Sequence, residues 1–160
     1  MVSAIQYLAL DQRDEYSNVT VQHYRALGNQ PIQRRIPVRD GAIPCLDGLF
    51  EDDTISPRRH NVVVTVNHTS GSSAQFYIFF KSHSRLPLNG SLRSMRNGVG
   101  RRWTSQWRGD IVIMRRGKRR DFVNMQPRDR GMAEVALKSF LQQGDICLND
   151  SKFIVALFRF

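Results

Sequence analysis

The 160-residue chain contains two cysteines, Cys45 and Cys147, and four lysines. Two cysteines cannot make the disulfide framework of a small secreted scaffold, so both are expected as free thiols in a reducing compartment. No apolar run approaches the ~20 residues that cross a bilayer as a helix, so a membrane is not an expected partner. The start, Met1 to Tyr7, has no basic stretch, and its apolar run ends at Asp11. That is not the pattern of a secretory signal, and a cytoplasmic or nuclear protein is expected. On that reading the sequons at Asn18, Asn67 and Asn89 are chance occurrences.

The usual marks of catalysis are also missing. His23, His60, His68 and His83 show no metal-ligand spacing. Gly98-Val99-Gly100 is followed by no Gly-Lys-Ser/Thr, and there is no nucleophile elbow and no pair of spaced carboxylates. The adjacent acids Glu51, Asp52 and Asp53 read as a solvated loop. His68-Thr69-Ser70 has the form of one half of a two-histidine phosphoesterase signature, but no second copy supplies the opposite acid or base. No catalytic residue, metal or cofactor is therefore expected.

What the chain has is positive charge in one place. Its formal net charge is +10, and twenty of the twenty-four basic residues are arginine. Residues 1–55 hold five basic residues against eight acids, net −3, whereas residues 91–130 hold twelve against three, net +9. Arginine presents a planar fork that grips phosphate or carboxylate with two hydrogen bonds and stacks on flat rings. With 41% hydrophobic and 24% charged residues, the composition is that of an ordinary globular chain, and residues 1–160 are expected to form a single basic domain.

Periodicity supplies the elements. Residues 17–23 alternate as a strand, and 32–38 form a weaker one, with Pro31 and Pro37 favouring an edge. Residues 40–59 read as a long loop. Val62, Val64 and Val66 alternate ahead of the turn Thr69 to Ser73. The run Phe76 to Phe80 after it is apolar on both faces, which predicts a hairpin whose second strand is central. Residues 109–114 and 122–125 predict a second hairpin around the basic turn 115–120, with Gly117 at positive φ. Met132, Val135, Ala136, Phe140 and Leu141 share a helical stripe between an Asp129 cap and Gly144. The closing run 153–160, apolar on both faces, predicts an interior strand. The expected core comprises Val62, Val64, Val66, Phe76, Ile78, Phe80, Ile111, Ile113, Phe122, Val135, Phe140, Ile154, Ala156 and Phe158.

The fold class is thus α+β, an antiparallel sheet of about five to seven strands with one C-terminal helix packed on it. Two functions fit the charge. The first is a non-enzymatic, sequence-nonspecific nucleic-acid-binding module. Its surface would comprise Arg93, Arg96, Arg101, Arg102, Arg115, Arg116, Lys118, Arg119 and Arg120, with Trp103 and Trp107 positioned to stack bases. The second is an interaction module that meets an acidic protein surface or a second copy of the chain. Arg108-Gly109-Asp110 spells a cell-adhesion tripeptide, but it opens a strand in a chain with no secretion signal.

Residues 107–114, Trp-Arg-Gly-Asp-Ile-Val-Ile-Met, with Phe122-Val123-Asn124-Met125 and the short helix after them, resemble a pattern in small uncharacterised proteins of mushroom-forming fungi. The resemblance covers residues 107–141. It implies a fungal intracellular protein and brings no activity or site with it.

Overall fold

A computed structural model describes residues 15–50, 59–81, 84–96, 99–102 and 105–143, together with the backbone of 153–158. The chain forms β1 (Tyr16–Tyr24), β2 (Ile32–Arg39), β3 (Ile43–Pro44), β4 (His60–His68), β5 (Ser73–Phe80), β6 (Ile111–Arg116), β7 (Phe122–Val123), α1 (Asp129–Gln142) and β8 (Phe153–Phe158). The sheet runs β3-β2-β1-β6-β5-β4-β8, and β7 pairs with β6 off that path. Every pairing is antiparallel except β4 with β8.

The central hairpin follows the sequence pattern closely. β4 and β5 pair from His60↔Phe80 to Asn67↔Ser73, and Val62, Val64 and Val66 are buried on one face. The turn is closed by His68, whose Nδ1 lies 2.6 Å from Ser70 Oγ and accepts the Ser70 N–H at 3.1 Å. Gly71 takes φ +85° there. His68 thus serves as a turn cap.

Apolar residues on both faces of β5 and β6 give the sheet two cores. The first holds Val62, Val64, Val66, Phe76, Ile78, Phe80, Ile111 and Ile113, and α1 covers it with Ala133, Ala136 and Leu137. The helix stripe is therefore rotated from the one expected. Two alanines at its centre let the helix lie close on the sheet, while Met132, Val135, Phe140 and Leu141 are half-buried flanks. The second core fills the opposite face. Val19, Val21, Ile36 and Val38 of the β1–β2 hairpin curl over Phe79, Val112, Met114 and Phe122, with Leu46, Leu49 and Phe50 closing the end. Part of the expected loop 40–59 is thus a core lid, and residues 51–58 lie outside the described residues.

Two further expectations change. β8 takes the edge beside β4 rather than an interior place, because β5 and β6 already have neighbours on both sides. Its side chains, including those of Ile154, Ala156 and Phe158, lie outside the described residues. In the second hairpin β6 continues through Arg116, so the turn proper is 117–120, and Arg120 carries the positive φ, +65°. Gly117 has no positive φ, and a Cβ there would crowd the side chains of Asp121 and Val123.

Candidate nucleic-acid interface

Between β5 and β6, the described residues 84–96, 99–102 and 105–108 belong to a strap over one end of the first core. Its neck is closed by the Leu88↔Arg108 bridge and by two backbone bonds, Asn89 N to Trp107 O at 2.9 Å and Gly109 N to Pro87 O at 2.9 Å. Leu92 and Met95 are buried in the first core and Leu86 is buried beside the neck, which holds the strap down as an Ω-loop is held by its own side chains. The turn Gly90–Ser94 is pinned to the end of β1. Ser91 Oγ donates to Arg25 O at 2.7 Å, and Gly90 N donates to Ala26 O at 2.8 Å. A Cβ on residue 90 would meet Gly28 O at 2.3 Å, so only glycine allows this approach.

Asn89 is the central pin. It is buried, and its Nδ2 donates to Tyr24 O at 3.0 Å and to Gly109 O at 2.8 Å, tying β1 to the start of β6. That burial removes the sequon at Asn89 from any glycosylation reading. Asp110 completes the junction. Its Oδ2 lies 2.9 Å from His23 Nε2, and its Oδ1 accepts the Ala26 N–H at 2.7 Å. Of the Arg108-Gly109-Asp110 tripeptide, Gly109 and Asp110 are therefore buried in a joint, while Arg108 is exposed beside it and donates from Nη1 to Leu86 O at 2.9 Å. Burial pushes the Tyr24 phenol well above its ordinary pKa, with the negative charge of Glu134 adding to the effect.

The expected site residues divide into three settings. Arg93, Arg96, Arg101 and Arg102 are exposed on the strap. Arg96 and Arg102 face each other across an antiparallel bridge. That places their Cβ atoms on one side, about 5 Å apart. Among the described residues Arg96 Nη1 reaches the Gly100 carbonyl, at 3.4 Å.

Lys118, Arg119 and Arg120 are exposed at the hairpin tip, and Arg128 and Arg130 are exposed at the start of α1. Arg128 and Arg130 are two of the twelve basic residues of 91–130 and carry no motif of their own. They flank Asp129, which was expected to cap α1 but is its first helical residue, with Arg128 at the N-cap position and Asp129 Oδ2 accepting the Gln126 N–H at 2.9 Å.

Arg115 and Arg116 are drawn inward. They are half-buried on opposite faces of β6. Arg115 lies over the Phe76 ring at 5.4 Å with Nη1 3.7 Å from Asp129 Oδ1. Arg116 lies over Tyr77 at 5.4 Å and donates to Gln75 Oε1 at 2.9 Å. Trp107 is likewise taken up by packing, with its ring 5.3 Å from Phe80 and 5.2 Å from Phe140, both edge-on. It is a rim residue of the first core rather than an open stacking platform. Trp103 lies outside the described residues.

Among the described residues no group of three or more His, Cys, Asp or Glu side chains is placed to hold a metal ion, and no helix is long and apolar enough to cross a membrane. No family model matches the chain, and neither a curated protein nor a solved structure matches it.

Proposed function

We propose that this chain is a non-enzymatic module that binds nucleic acid through its phosphates, without reading sequence. The observation that carries the reading is the Arg96–Arg102 bridge. Two like charges directly opposite in a β-pair repel and cost stability, and no carboxylate among the described residues pairs with either of them. Arg93, on the same strap, is also exposed and has no acid partner among the described residues. A surface that keeps such a cost suits an anion arriving from outside, and the guanidinium fork matches a phosphate. Base reading is not supported in the same way, because Trp107 is spent on the core.

The test is an anisotropy titration of the whole protein against a mixed-sequence oligonucleotide at about 50 and about 200 mM salt. Affinity should be micromolar or weaker at physiological salt and indifferent to sequence. It should fall steeply as salt rises, because each neutralised phosphate releases counterions. Replacing Arg93, Arg96 and Arg102 together with Ser should flatten the salt slope by about three contacts. Absence of binding even at the lower salt would discard this reading in favour of an acidic protein partner or a second copy of the chain.

A further inference from the structure

Two groups of exposed basic residues lie towards the two ends of α1. At the start of the helix stand Arg128 and Arg130, and Arg115 reaches from β6 to Asp129 at 3.7 Å. The tip residues Lys118, Arg119 and Arg120 follow directly on β6, so they belong to that end. Towards the other end, Lys138 Nζ donates to the Arg96 carbonyl, which brings Arg96 and, across its bridge, Arg102 beside that part of the helix, with Arg93 three residues earlier on the same strap. From residue 129 to residue 138 an α-helix advances about 14 Å, and the tip adds to that span. The helix surface between the groups is low and nearly neutral. Gly131 is exposed, and Glu134 is paired with Lys138 at 2.6 Å.

We infer that the partner of this surface is a double helix, with one phosphate row taken by the strap and the other by the tip and helix start. The inference rests on the nucleic-acid reading above and narrows it. Two cationic groups held at a fixed separation by a rigid helix match two phosphate rows held at a fixed separation by base pairing. The major groove of B-form DNA is about 12 Å wide, comparable with the spacing along α1. A single strand offers one flexible row and no such match. Single-strand binders also set aromatic faces beside their cations for bases to stack on. Among the described residues the one exposed large aromatic is Tyr16, at the start of β1, which pairs with Arg39 of β2 rather than with the strap.

The whole protein is titrated at one salt concentration with duplex DNA and duplex RNA of about 20 base pairs, roughly two helical turns, and with their separated strands. At least one duplex should bind about tenfold more tightly than either single strand. The duplex that does so identifies which helix geometry fits the span. Two triple variants are compared, Arg93→Ser with Arg96→Ser and Arg102→Ser, and Lys118→Ser with Arg119→Ser and Arg120→Ser. Each should lose about tenfold in duplex affinity, because each removes one of two rows of contacts. Thermal melts of both variants check that the fold is intact, and the tip variant changes exposed turn residues alone. Single strands binding as well as duplexes, or a tip variant with unchanged duplex affinity, would overturn the inference while leaving nucleic-acid binding standing. Failure of every nucleic acid to bind would instead remove the reading beneath it.

Discussion

His23 and Asp110 meet in the interior with Nε2 and Oδ2 2.9 Å apart, each side chain 2% exposed. They are 87 residues apart in sequence. Their contact joins β1 to the first residue before β6, at the point where the strap returns to the sheet. Asp110 does two jobs at once, since its other oxygen accepts the Ala26 N–H and shapes the exit from β1. Just past the end of β5, Lys81 is also buried, with Nζ 5.9 Å from the Phe50 ring.

Asp110→Ala should therefore be among the most damaging single changes in the chain. It strips a buried N–H and a buried imidazole of their acceptor, and should cost about 3 kcal/mol. Asp110→Asn keeps the shape and one acceptor oxygen and should cost about half as much. Urea unfolding followed by circular dichroism measures both. A midpoint unchanged by Asp110→Ala would show that the junction contributes nothing to stability.

Gly109→Ala should be comparably severe, for a steric reason. Gly109 has φ +86°, and a Cβ there would stand 2.6 Å from the Lys81 carbonyl oxygen and 2.8 Å from Leu86 Cδ1. Both the backbone conformation and the contact oppose any side chain, and the expected loss is about 2–3 kcal/mol. Gly71→Ala makes the comparison. Its φ is +85° but nothing lies within 4 Å of the added atom, so the conformational part alone remains, about 1 kcal/mol.

Phe140→Ala should destabilise by about 2–3 kcal/mol, less than the loss of a fully enclosed aromatic, because Phe140 is half-buried at the core rim. Its ring stands 4.9 Å from Phe80 and 5.2 Å from Trp107. The same variant should shift tryptophan emission in the folded state, since Trp107 loses one of its two aromatic neighbours. Unchanged emission would place Trp107 elsewhere.

Alkaline stability should depend on Tyr24. Burial raises its pKa in the folded protein, so the phenol stays protonated there after the unfolded chain has begun to ionise near pH 10. Below pH 10 the contribution is fully present. As pH rises above 10 the unfolded state binds fewer protons than the folded one, and stability falls by up to about 1.4 kcal/mol per pH unit. Tyr24→Phe retains the ring and should remove that part of the decline. Equal alkaline slopes for the two proteins in urea titrations between pH 9 and pH 11, a window set about the tyrosine value, would refute the assignment.

Much of the fold could be read in the sequence because its strands and helix carry their own period. The alternation Val62, Val64, Val66 and the doubly apolar run Phe76 to Phe80 determined the central hairpin, its turn and the first core, since local periodicity is enough to choose a face. The lopsided charge was equally legible, because composition needs no geometry. The sequence did not determine how far individual arginines are exposed. Arg115 and Arg116 are consecutive residues of one basic run with Lys118 to Arg120, yet a strand sends neighbours to opposite faces, and here each face offers an aromatic ring. The second core was also hidden, because it forms only when the β1–β2 hairpin curls back over β6, which depends on sheet curvature rather than on any local pattern. The same holds for Asp110. Read along the chain, it is the last letter of an exposed-looking tripeptide. Only tertiary structure brings His23 and the Ala26 amide to its two oxygens, and burying a carboxylate is tolerable only where such partners converge.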